Sequence, residues 1–179
     1  MANEFDNVEL KSIANLDEID LRGAILNKAN LSGVSFKAFS LTETDFSTAD
    51  LSKLNFRGAN LTGANFSCTN LSEANLSRTQ ALETNFAGAT LTGACIEDWH
   101  INSNTNLTDV ICDYIYLSQG QQERRPSIDN FAPGEFAQLF QKSLETIDLI
   151  FRNGIDWDAF AYSFKKVEVE NQGARFKTC

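Results

Sequence analysis

The 179-residue sequence has one histidine, two prolines, one methionine and four cysteines. His100 has no HxxxH or HxH companion, which removes the usual imidazole metal pair and leaves it an ordinary surface residue. The cysteines lie at 68, 95, 112 and 179 with no CxxC spacing, so neither a zinc knuckle nor a disulfide framework is indicated. Reduced thiols in a cytosol fit that pattern. No apolar run approaches the roughly 18 residues of a membrane span. The first residues carry the acids Glu4 and Asp6 where a secretion signal carries a basic patch and an apolar stretch, so a soluble, cytoplasmic protein is expected.

Basic charge is also scarce. The net charge is −9, and it is uneven: residues 1–118 hold 15 acids against 7 bases, whereas residues 119–179 hold 9 against 8. An acidic chain without clustered Lys and Arg does not attract phosphates, so direct nucleic-acid binding is not expected.

What is abundant is a period of five. Large apolar residues recur at Leu16, Leu21, Leu26, Leu31, Phe36, Leu41, Phe46, Leu51, Phe56, Leu61, Phe66, Leu71 and Leu76, then through Ala81, Phe86, Leu91, Ile96 and Ile101. Two residues before most of them stands a smaller one, such as Ala24, Ala49, Ala59, Ala64, Thr69, Ala74, Thr84 or Ala89. Asn, Asp or Ser mostly lies between the two sets. Helices repeat near 3.6 residues and strands near 2, so a period of five requires a chain that turns every fifth residue. Short extended stretches with two inward residues each, joined by tight turns, close a square coil after twenty residues. Such coils stack at about 4.8 Å with their backbones paired.

The number four is testable within the sequence, because side chains stacked on one side of the square must recur every twenty residues. Leu16, Phe36, Phe56, Leu76 and Ile96 fall on the first side, and Leu26, Phe46, Phe66 and Phe86 on the third. All five central phenylalanines therefore share two opposite sides, as expected if like rings stack in columns. The second side holds Leu21, Leu41, Leu61, Ala81 and Ile101, and the fourth Leu31, Leu51, Leu71 and Leu91.

This pattern, as in Ala59-Asn-Leu-Thr-Gly followed by Ala64-Asn-Phe-Ser-Cys, resembles the pentapeptide-repeat family, mainly in its cyanobacterial form. The resemblance covers residues 14–118. It implies a mainly β fold, a right-handed quadrilateral parallel β-helix of about five coils, and it implies little about activity.

Several departures matter. Ala81 puts a methyl group where the core expects a larger residue, predicting a gap or an inward shift of Leu82. Near Asn102, Ser103 and Asn104 the phase slips by one, predicting a bulge, after which Leu107, Cys112 and Leu117 resume the register. Trp99 to Leu117 is then a distorted last coil, with Cys112 inside as a small apolar residue. Residues 1–13, with Phe5, Val8 and Leu10, are expected to cap the first coil.

Residues 119–132 are polar and read as a linker. From Pro133 the pattern becomes helical, with Phe136, Leu139, Phe140, Leu144, Ile147 and Phe151 on one apolar face. Asn153 and Gly154 stop this helix, and Asp156 caps a second carrying Trp157, Phe160 and Phe164. The pair, 133–169, needs a surface to cover: the open end of the solenoid, the same helices of a second chain, or another protein. A monomer and a dimer through these helices are both open. The tail, 170–179, is polar. Similar proteins continue into a further module, so the resemblance also allows this chain to be the N-terminal module of a longer protein.

No catalytic site, cofactor site or metal site is expected. The acids Glu97, Asp98 and Asp109 come nearest to a cluster and read as solvated turn residues. The leading expectation is a structural or protein-binding scaffold whose partner is an unknown protein. The alternative is a rod that mimics DNA towards DNA gyrase, which some family members do. Against it, Glu43 and Glu83 share a corner with nothing acidic between them, while Lys37, Arg57 and Arg78 run up another.

Overall fold

A computed structural model describes residues 20–28, 31 and 34–148, with helix side chains described as far as 142. Across the described residues from Asp20 to Val110 the chain advances by one motif. The N–H of Ala24 donates to the Leu21 carbonyl, closing a four-residue turn, and the same bond recurs from Val34 to Leu31, Ala64 to Leu61 and Ala94 to Leu91. The third residue of each such turn has a left-handed backbone, for example Gly23 at φ 64° and Gly63 at φ 70°. That geometry marks a type II turn and favours glycine. Ten solenoid turns nevertheless place a non-glycine residue there from Ala38 to Asp109, including the β-branched Thr48 at φ 60°.

Between turns the chain runs extended just long enough to pair with the coils on either side. Ser40 bridges Asn60 in parallel, Asn60 bridges Gln80 and Gln80 bridges His100. The same twenty-residue step links Ile25, Asp45, Asn65 and Asn85 on another side. Four sides per coil and a twenty-residue step make a quadrilateral β-helix, right-handed as its pentapeptide repeats imply.

Near its end the step lengthens to twenty-one residues: Asn85 bridges Asn106, Thr90 bridges Ile111 and Cys95 bridges Tyr116. The extra residue sits at the turn after Ile101. In the coils below, the N–H of Glu43 donates to the Thr62 carbonyl and that of Gly63 to the Leu82 carbonyl. The equivalent N–H of Glu83 donates instead to the side-chain Oδ1 of Asn102, at 3.1 Å. An asparagine amide thus stands in for the displaced backbone carbonyl, which is why the ladder survives the insertion.

One expectation for the C-terminal part requires correction. Residues 119–132 are not simply a linker, because strand β1 (Ile115–Ser118) turns back through Gly120 into strand β2 (Gln122–Arg125). The pairing is antiparallel, with Ile115 opposite Arg125 and Ser118 opposite Gln122. The pattern missed it because Gln-Glu-Arg-Arg has no apolar alternation. The strand is held from its sides: the Arg124 guanidinium stacks 4.4 Å over the Tyr114 ring and bonds Asn130 Oδ1 and the Pro126 carbonyl. Helix α1 (Glu135–Asp148) begins two residues after Pro133, with the Glu135 carboxylate reaching back to the Ala132 N–H at 2.8 Å. The second helix of the expected pair lies outside the described residues, as do Leu16 and the N-terminal cap.

Candidate functional site

The interior is filled with side chains. Phe36 stacks on Phe56 with ring centroids 5.3 Å apart, and Phe46, Phe66 and Phe86 form a second stack at 4.9 and 5.3 Å. Across the axis the two stacks meet edge to face, Phe36 with Phe46 at 5.8 Å and Phe56 with Phe66 at 5.9 Å. Both arrangements suit the ring quadrupole. Leu26, Leu76 and Ile96 continue the columns, fully buried, and Leu107 closes the third side with slight exposure. Complete burial of side chains this size contributes about 1.5–3 kcal/mol each.

The second inward set sits at the corners, and its threonines are satisfied. The hydroxyls of Thr44, Thr69 and Thr84 donate to the carbonyls of Leu21, Phe46 and Leu61, 2.7–2.9 Å away in the preceding coil. After the bulge Thr105 makes the same bond to Ala81. A hydroxyl buried without that partner costs about 1–3 kcal/mol, so Thr is tolerated only where the carbonyl is in reach.

The residue between the two inward positions faces out and organises the turn. The side-chain oxygens of Asp45, Asn60, Asn65 and Asn70 each accept the backbone N–H two residues on, at 2.9–3.1 Å. Their amides also bond between coils: Asn65 donates to Asp45, Asn85 to Asn65 and Asn106 to Asn85, at 3.0–3.1 Å. Spacing alone assigns these asparagines no role. Their one sequence signal is the invariant place just before the large apolar residue.

The surface is polar and sparsely charged. Glu97 and Asp98 do not form an acidic site, because both pair with Arg78, at 3.8 and 3.3 Å, and Asp109 lies on a different corner. Lys53 pairs with Glu73 at 3.9 Å. His100 is exposed. Cys68, Cys95 and Cys112 are free thiols; burial pushes Cys95 and Cys112 above the ordinary thiol range, Cys112 strongly. Among the described residues no three His, Cys, Asp or Glu come together to hold a metal ion. No described helix is long and apolar enough to cross a membrane.

The end of the solenoid differs from its sides. Trp99 occupies an inward corner position that is Ala or Thr in the coils just below, and it is fully buried. Its ring meets Phe86 at 5.3 Å and, on the other side, Phe140 of α1 at 5.8 Å. Phe140 packs on Phe136 at 4.7 Å and Phe136 on Phe131 at 5.7 Å. Of the expected helix-interface residues, Phe136 and Phe140 are thus buried against the last coil and Leu139 is half-buried beside it. Leu144 and Ile147 lie on α1 beyond the described side chains; Phe151, Trp157, Phe160 and Phe164 lie outside the described residues. Trp99 stands five residues after Ala94, in the inward register, but its size hides it from a pattern of small corner residues.

Comparison with known proteins agrees with this geometry. The family model for pentapeptide repeats matches in eight copies, at residues 14–52, 29–67, 40–78 and 69–98. Among solved structures, the chain is 30% identical to a pentapeptide-repeat protein of the Arabidopsis thaliana thylakoid lumen, covering 54% of this chain and 73% of that one. It is 26% identical to one from the cyanobacterium Cyanothece, covering 59% and 70%, and 23% identical to one from Nostoc, covering 49% and 84%. The TM-scores are 0.36, 0.32 and 0.28, so the assignment rests on the repeats and not on superposition. No curated protein matches.

Proposed function

The chain belongs to the pentapeptide-repeat family, and from that premise we propose that it is a non-enzymatic scaffold that acts by presenting its sides to another protein. Members of this family are in general structural or interaction proteins. The observation that carries the reading is the filled interior: stacked rings occupy the axis, so the chemistry of the described solenoid lies on four outer sides of amides, hydroxyls and scattered charges. Acid–base or nucleophilic catalysis needs converging groups in a concave site. Rigid stacked sides suit recognition instead.

The test is capture of a partner from an extract of the source organism, with outward-facing residues such as Ser40, Asn60 and Gln80 changed to Arg. Loss of capture with an unchanged circular dichroism spectrum supports the reading. Capture indifferent to changes on all four sides contradicts it.

A cytoplasmic setting belongs to the same reading, since Cys68, Cys95 and Cys112 are free thiols. Recovery of the protein only from a membrane-enclosed lumen would contradict that part. The gyrase reading is less well supported, because Gly63 interrupts Glu43 and Glu83 and the neighbouring corner is basic. Inhibition or protection of gyrase in a supercoiling assay would reverse this order.

A further inference from the structure

The second side of the solenoid, whose central residues are Leu41, Leu61 and Ala81, lies between two corners of opposite charge. In the middle coils the corner it shares with the first side carries Lys37, Arg57 and Arg78, below Glu97 and Asp98; the corner it shares with the third carries Glu43 and Glu83, above Arg22, which pairs with Asp20. Between them the outward column of these coils is neutral: Ser40, the half-buried Asn60 and Gln80, bridged coil to coil above Asp20. Arg78 is matched by Glu97 and Asp98. Among the described residues, Lys37, Arg57, Glu43 and Glu83 are in no ion pair. A Cβ at Gly63 would stand 3.5 Å from Glu43 Cγ, so the Glu43 side chain leans over Gly63, towards the level of Arg57 and Glu83.

From this arrangement we infer that the second side is self-complementary and pairs with the same side of a second copy, the two rods lying parallel. A two-fold axis parallel to the solenoid axis brings the basic corner of each copy to the acidic corner of the other. It also keeps like coils level. Lys37 then faces Glu43, Arg57 lies between Glu43 and Glu83, and the small column of Ser40, Asn60 and Gln80 lets the flat sides approach. The axial spacings agree, because coils rise by about 4.8 Å and the acids stand two coils, about 9.6 Å, apart. A two-fold axis crossing the rods would set cation against cation and carboxylate against carboxylate. The charge pattern therefore selects the parallel dimer and rejects the antiparallel one.

The area is modest. A side five coils long, about 24 Å, falls short of the roughly 800 Å² per partner of a standard interface. The dimer is accordingly weak, dependent on charge, and sensitive to salt. It is independent of the scaffold reading above, since a rod paired on one side still has three sides free.

Sedimentation equilibrium of the full chain tests it. At low salt the wild type is expected to dimerise, with at least a tenfold loss of affinity in about 1 M salt, where the screening length is about 3 Å. Glu43→Lys with Glu83→Lys should be monomeric, as should Lys37→Glu with Arg57→Glu, both with unchanged circular dichroism. An equal mixture of the two variants should associate again. The first variant also makes the acidic chain less negative by four charges, so if general repulsion governed association it would dimerise better than the wild type. A wild type that stays monomeric at low salt, a dimer that survives either reversal, or variants that fail to associate when mixed would each overturn the proposal.

Discussion

The middle of the solenoid and its C-terminal end solve the same problem with different chemistry. Between Ser40 and Cys95 every coil is covered by the next, so identical devices repeat: a stacked ring or leucine, a small corner residue, an asparagine that bonds both its own turn and the coil beside it. At the end there is no next coil. There the chain uses devices that occur once: a side-chain amide at Asn102 replacing a carbonyl, a tryptophan in place of a small corner residue, a hairpin and a helix. Repetition suffices where the neighbour is a copy of oneself, and unique packing is needed where it is not.

The sharpest way to break this comparison is to truncate one aromatic ring in each region. Phe66→Ala removes a ring stacked on both sides, and should cost about 3–5 kcal/mol in denaturant unfolding, shifting the whole cooperative transition to lower denaturant. Phe140→Ala should cost about 3 kcal/mol at the cap alone, exposing Trp99 to fluorescence quenchers while the β signal of the repeats persists. Equal global loss from both would mean that the two regions are one unit.

Next in size is Ala81→Leu. Ala81 occupies a column otherwise filled by Leu21, Leu41, Leu61 and Ile101, yet it is fully buried and Leu82 stays at the surface, half-buried. The Trp99 ring enters from the corner beside Ile101 and reaches across to Phe86 on the opposite side. A Trp99 ring that takes up the volume missing at Ala81 leaves no room for a leucine there, so the larger residue should destabilise by about 1–3 kcal/mol through overpacking. A gain in stability would show that a hole was there to be filled.

The buried thiol of Cys112 gives an effect of about 1.4 kcal/mol per pH unit at most. Burial raises its pKa above the ordinary 9.0 because a thiolate there would be desolvated. A raised folded pKa contributes stability that is intact below the unfolded value and is lost as pH rises beyond it. The wild type should therefore lose stability above about pH 9, more steeply than Cys112→Ala does. Parallel curves for the two proteins would remove this contribution. The smallest effect is at Thr48, whose left-handed backbone strains a β-branched residue; Thr48→Gly should raise stability by about 1 kcal/mol in the same unfolding assay.

How much of this was legible in the sequence follows the same division. The five-residue period and its twenty-residue sorting located Phe36, Phe56, Phe46, Phe66 and Phe86, because stacking of like on like is a relation between copies of one motif. The ends were harder. Trp99 kept the register but broke the rule that corner residues are small, since the coil it needed to match was absent. The strand Gln122–Arg125 carries no apolar alternation and is held by the Arg124 stack on Tyr114, a contact that no periodicity signals. The asparagines were visible as a pattern and silent as to cause, because their bonds run to a backbone N–H two residues away and to an amide twenty residues away.

The central claim is that the chain returns to the same side after twenty residues. A disulfide between neighbouring coils tests it most directly, because the bond needs Cα atoms about 4.4–6.8 Å apart. In a Cys68→Ser background, Asn70→Cys with Thr90→Cys should oxidise to an intramolecular crosslink, since Asn70 bridges Thr90. Asn70→Cys with Asn85→Cys, fifteen residues apart and on a different side, should not. Crosslinking of the second pair in preference to the first would contradict the four-sided coil.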